Sequence, residues 1–143
     1  MLCDSRGIIT AFRLSAGNIN ECTEAIPLLE SISIAGRSRP RSLAGDRGYS
    51  TRAIRAWCRR RHMKAIIPER IDQLEQRRKR PGRPLAFDAM QYRKRNVIER
   101  AVGWLKNLRR IATRSEKLAV NFEAMFTVAL IARYATVYLS DTT

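Results

Sequence analysis

Apolar positions along this chain follow two periods, and the change from one to the other marks its elements. Met1-Leu2-Cys3 is short and apolar, and Ile8 to Leu14 alternates loosely, with β-branched and aromatic residues. Asp4-Ser5-Arg6-Gly7 between them has turn chemistry, so a β-hairpin is predicted. Ser15 to Asn20 read as a loop. Ala25, Ile26, Leu28, Leu29 and Ile32 then recur at helical spacing, a short amphipathic helix expected to stop near Gly36 before a basic linker, Arg37 to Arg41.

Ser42-Leu43-Ala44-Gly45 is a short apolar run ending at Asp46, and Gly48 is expected to permit the reversal from strand to helix. A helix is predicted from about Thr51 to His62 with Ile54, Trp57 and Cys58 inward, followed by a strand over Met63 to Pro68. Strand, helix and strand in that order suggest a parallel crossover. From Glu69 to Pro84 the chain is rich in Lys and Arg with little apolar period, so residues 69–88 are expected to form a mobile basic loop that touches a DNA backbone. Asp88 then offers an N-cap, Gln91 sits at the capping-box position, and Phe87 and Tyr92 form a staple. A long helix is expected to reach Ala112 on the stripe Ile98, Ala101, Val102, Leu105, Leu108 and Ile111, and a second helix, Phe122 to Leu139, to be largely buried.

Charge changes the picture most. Lys and Arg number 28 against 13 acids in 143 residues, a net +15, which favours a polyanionic partner, nucleic acid first. No apolar run approaches the length of a spanning helix and no signal-peptide pattern is apparent, so a cytoplasmic protein without a membrane partner is expected. Cys3, Cys22 and Cys58 are odd in number and far apart, and His62 is the sole histidine, which supports neither a disulfide framework nor a zinc site. Trp57 and Trp104 fall in amphipathic helices and read as packing residues rather than base-stacking ones.

Tyr92, Arg95, Glu99 and Lys106 lie at offsets of three, four and seven, which on one continuous helix share a stripe roughly 60° wide. Glu99 is the sole acid between Ala89 and Ser115, set among Arg93, Lys94, Arg95 and Arg100. Two readings of it stand: a helix ion pair with Arg95, or a carboxylate that takes a divalent cation. Spacing alone does not choose between them.

The run Tyr92-x2-Arg95-x3-Glu99-x6-Lys106 resembles the Tyr-Arg-Glu-Lys signature of bacterial insertion-sequence transposases of the DDE type. The hairpin with Ala16-Gly17-Asn18, the segment Ala44 to Tyr49, and Asn107 to Arg114 agree in the same order, so the resemblance covers nearly the whole chain. It implies an α/β fold, a ribonuclease-H-like domain in which three carboxylates hold two Mg2+ or Mn2+ ions for DNA hydrolysis and strand transfer. On this resemblance Asp46 matches the second carboxylate and Glu99 the third, both catalytic and metal-binding. Lys106 would contact the transposon end, Tyr92 and Arg95 the DNA backbone or the metal site, and Arg109 and Arg110 would bind DNA.

The family's first Asp stands on a central strand upstream of the hairpin, and no residue here matches it. Asp4 belongs to the hairpin turn, Glu21 to the start of a helix and Asp72 to the basic loop. Residues 1–143 are therefore expected to form a partial transposase catalytic domain, an incomplete ribonuclease-H-like fold lacking its first central strand, with a long C-terminal helical pair. Such a chain is expected to be inactive alone, as a truncated remnant or one part of a split reading frame. A dimer, or complementation by the absent N-terminal portion, would restore the site. The competing expectation is a noncatalytic DNA-binding remnant or an inhibitor of full-length transposase. An RNA-binding protein is a third, with no aromatic RNP pattern and no GXXG loop to support it.

Overall fold

The computed structural model describes residues 1–32, 40–79, 82 and 87–140. The expected stop near Gly36 and most of the Arg37 to Arg41 linker lie outside the described residues. The chain divides into two units, Met1–Ala16 with Asn96–Thr143, and Gly17–Arg95.

The second of these, Gly17–Arg95, is built on a parallel crossover. Helix α1, Glu21–Glu30, starts at Asn20, whose side chain accepts from the Cys22 N–H, and Glu21 and Glu24 in its first turn complement the helix dipole. Strand β3, Ser42–Ala44, runs parallel to β4, Lys64–Ile66, in the register Ser42 to Lys64 and Ala44 to Ile66. Between them lies α2, Arg52–Arg60, capped by Thr51, whose hydroxyl accepts from the Ile54 N–H at 3.2 Å. Ile54, Trp57 and Cys58 are buried as the spacing predicts, together with Leu28, Leu29, Met63, Ile66 and Ile67. Each large apolar side chain removed from water in this way stabilises by about 1.5–3 kcal/mol. The helix ends at His62, exposed and in the left-handed region at φ 52°, which turns the chain into β4.

Beyond β4 the expected loop contains a helix, α3, Ile71–Lys79. Composition missed it because it has almost no apolar face of its own: Ile71 and Leu74 are exposed. It is held instead by polar contacts, the Arg77–Glu69 ion pair and the bonds of Gln73 to Ser50. Residues 80, 81 and 83–86 of the loop lie outside the described residues. A short helix α4, Ala89–Arg93, follows. Its expected cap is present: Asp88 accepts from the Gln91 N–H at 2.9 Å, and the Phe87 and Tyr92 rings meet at 5.3 Å. That backbone bond, with Lys64 Nζ 2.9 Å away, holds the Asp88 carboxyl below its ordinary pKa.

In the other unit, β1, Leu2–Cys3, pairs antiparallel with β2, Ile9–Ala11, as a hairpin. Asp4 organises its turn, accepting from the N–H groups of Arg6 and Ile8 at 2.9 Å each, and Gly7 takes φ 86°, where a side chain would be strained. The expected long helix is divided. After α4 the chain turns at Lys94 and Arg95, helix α5 runs Asn96–Lys106, and a four-residue helix α6, Arg109–Ala112, follows a second break. At both breaks the backbone tightens to i to i−3 bonds, Arg95 N–H to Tyr92 O and Leu108 N–H to Leu105 O. Asparagines, which have low helix propensity, stand there as Asn96 and Asn107, and the Asn96 side chain accepts from the Arg100 guanidinium at 2.7 Å. The apolar stripe of α5 survives in part, with Ala101 and Leu105 buried.

Helix α7, Ala119–Ser140, departs furthest from expectation. Predicted to be largely buried, it buries Phe126, which meets Phe12 at 4.5 Å and Phe122 at 6.3 Å, while Val120, Val128, Ile131 and Leu139 are exposed. Its neighbours within the unit cover one strip of a helix that is apolar nearly all round. By length and composition Ala119–Leu139 is sufficient to cross a membrane, contrary to the expectation that no segment reaches this length. It is weak evidence for a span, because Glu123 and Arg133 interrupt it and the Arg133 guanidinium lies 5.1 Å over the Trp104 ring.

Candidate active site

Asp46 stands two residues beyond the end of β3. There the strand passes into one turn of 3-10 helix, Arg47–Tyr49, and Asp46 is its N-cap. The exposed carboxylate is fixed through one oxygen, Oδ1, which accepts from the Gly48 N–H at 2.8 Å. Gly48 serves here through its size and not through a left-handed backbone. A Cβ at Gly48 would fall 3.0 Å from Asp46 Oδ1, so any larger residue displaces the carboxylate or itself. Oδ2 has no bond among the described residues and is available to a ligand.

The turn is secured from both sides. Tyr49 donates its hydroxyl to Glu21 Oε2 at 3.3 Å. Burial, then the Glu21 and Asp46 charges, push the Tyr49 phenol up to about 12. Ser50 is 1% exposed, donates to Gln73 Oε1 at 2.7 Å and accepts from the Arg55 guanidinium at 2.9 Å. Gln73 returns a bond to the Ser50 carbonyl at 2.6 Å, and Arg55 also donates to the Ile67 carbonyl at 2.8 Å. Burial, with Arg77 nearby, lowers the Arg55 pKa. A satisfied buried network of this kind holds its backbone in one arrangement. Sequence reading missed Ser50, Arg55 and Gln73, since a serine before a helix cap and an arginine on a basic helix carry no distinctive spacing.

Tyr92 and Arg95 belong to the same unit as Asp46. Arg95 lies over the Tyr92 ring at 5.4 Å, a cation–π contact at the end of α4. Glu99, Lys106, Arg109 and Arg110 belong to the other unit, all exposed. Glu99 is in the first turn of α5, Lys106 in its last, and both arginines open α6. The expected single stripe from Tyr92 to Lys106 is therefore interrupted at Lys94 and Arg95, and Glu99 and Lys106 alone remain on one helix.

Asp46 with one free oxygen is a fitting ligand for a hard cation, and Glu99 is of the same chemical type. Among the described residues no three of His, Cys, Asp and Glu gather as a metal site. Asp4 is committed to its hairpin turn, and Asp72 pairs with Arg70 at 3.4 Å on exposed α3. The three cysteines are free thiols, Cys58 buried and Cys3 and Cys22 half-buried.

The family described as Transposase DDE domain matches residues 1–133. The chain is 30% identical over 125 residues to a Burkholderia cepacia protein described as "Putative transposase for insertion sequence element IS402", an alignment covering 83% of this chain and 53% of that one. The chain thus spans about half the length of this relative. No solved structure matches it.

Proposed function

The chain belongs to the DDE transposase family of bacterial insertion sequences, and from that premise we propose that Asp46 and Glu99 are two of three carboxylates serving DNA phosphodiester hydrolysis and strand transfer. The observation that carries this reading is the setting of Asp46, an exposed carboxylate past the end of a parallel strand, pinned through one oxygen and with the other free. Functional groups of open α/β sheets gather at that end of their strands.

Asp46 Oδ2 and the Glu99 carboxylate would hold Mg2+ or Mn2+. Two such ions stabilise the attacking and leaving oxygens of an in-line displacement at phosphorus. The chain's other residues bind and orient DNA: Lys106, Arg109 and Arg110 through phosphates, Tyr92 and Arg95 as a stacked pair at the backbone. The third carboxylate comes from outside these 143 residues, with the central strand that carries it, either in a longer polypeptide or by complementation or dimerisation. The setting is cytoplasmic, where the DNA is.

The 143-residue chain then binds transposon ends without cutting them. A noncatalytic end-binder that obstructs full-length transposase is the second reading, favoured by the lack of a three-carboxylate cluster among the described residues. Complementation separates the two. The chain is incubated with Mg2+, a transposon end and a polypeptide supplying the upstream strand of the relative. Nicking lost in both Asp46→Asn and Glu99→Gln, with DNA binding retained, is the expected result. Nicking that persists in both variants would overturn the carboxylate assignment, and no nicking at all would favour the end-binder.

A further inference from the structure

The cations of α2 form a second basic surface, built from none of the signature residues. Arg52, Arg55 and Arg59 recur at spacings of three and four, on the side of the helix away from the buried Ile54 and Trp57. With Lys64, Glu69 and Gln73 they line an open groove of about 420 Å3. Glu69 is neutralised by Arg77, and Lys64 by Asp88 at 2.9 Å. Arg52, Arg55 and Arg59 have no carboxylate partner among the described residues. The two bonds of Arg55 go to Ser50 Oγ and the Ile67 carbonyl, neutral acceptors that fix the guanidinium without cancelling its charge.

Three uncompensated cations on one helix face repel one another, and a bound polyanion reverses that cost. Arg52 and Arg59 are about 10 Å apart along the helix axis. That distance matches roughly three phosphates of one duplex strand at about 3.4 Å of axial rise each. No aromatic side chain lines the groove, so it offers nothing for bases to stack on and suits the backbone alone. The geometry points to a track for the sugar–phosphate backbone of duplex DNA along α2, binding without regard to sequence. The identity of this polyanion rests on the transposase reading.

The test is the salt dependence of binding of the 143-residue chain to a random-sequence DNA duplex. Arg52→Gln with Arg59→Gln should reduce the slope of log affinity against log salt by about 2 and weaken binding roughly tenfold at moderate salt. Arg52→Lys with Arg59→Lys should restore both, which excludes misfolding as the cause. Arg60→Gln with Lys117→Gln, charge-matched and outside the groove, should change the slope by less than half as much. An unchanged slope in the groove pair, or an equal loss in the control pair, overturns the track while leaving the transposase reading intact. Tighter binding to an RNA duplex of equal length also overturns it. If the unaltered chain binds no DNA, the transposase reading fails with it.

Discussion

Ile54, Trp57, Cys58, Met63, Ile66 and Ile67 are buried in the unit Gly17–Arg95, although α2 is one of the most arginine-rich segments of the chain. In the other unit α7 is far more apolar, yet Val120, Val128, Ile131 and Leu139 face water. What separates them is the supply of neighbours. The three apolar residues of α2 fall on one side and meet α1 and β4, whereas α7 presents apolar side chains all round and finds cover mainly along Phe126. Burial follows from what an element packs against, and composition alone does not report it.

That contrast can be broken most sharply at Trp57. The ring is buried, donates to Glu30 Oε1 at 3.0 Å and stacks under Arg61 at 4.5 Å. Trp57→Ala should cost about 3–5 kcal/mol in denaturant unfolding; a loss below about 1 kcal/mol would mean that this unit lacks the core described. Ser50→Ala comes next, at about 1–3 kcal/mol, because it removes the buried hydroxyl that bonds both Gln73 Oε1 and the Arg55 guanidinium. The same variant should mobilise the Asp46 turn, read as faster amide exchange at Arg47 to Tyr49, and unchanged exchange would show that the network does not hold the turn.

A smaller effect is expected in alkali. The folded-state pKa of Tyr49 is raised from 10.0 to about 12, so its contribution is complete below pH 10 and is lost as pH rises through about 12. Tyr49→Phe should flatten that alkaline loss in the unfolding midpoint; an identical alkaline profile would exclude the burial of this phenol. Smallest of all, Ile131→Ser on exposed α7 should change stability by no more than about 0.5 kcal/mol. A loss several times larger would show that α7 is covered in solution.

Much of the Gly17–Arg95 unit was legible in the sequence. The inward face of α2, the crossover, and the Asp88 cap with its Phe87–Tyr92 staple follow from local spacing and capping chemistry, and the structure contains each. Three features were not legible. The long helix keeps its apolar period across Asn96 and Asn107, and only the tightened backbone there shows the breaks. Helix α3 is secured by Gln73 and Arg77 bonding to distant partners, which no window of sequence contains. Helix α7 has the composition of a core helix without the partners of one. At the candidate site, the end-of-strand position of Asp46 was read correctly, but Gly48 was assigned to turn conformation when its role is to leave room for the carboxylate.

The central proposal is that Asp46 and Glu99 are each divalent-metal ligands, and paramagnetic broadening by Mn2+ in amide NMR spectra of this chain tests it directly. The prediction is broadening at Gly45 to Gly48 that Asp46→Asn abolishes, and broadening at Ile98 to Arg100 that Glu99→Gln abolishes. Absence of broadening at either segment, or broadening that survives replacement of that segment's carboxylate, would contradict the proposal.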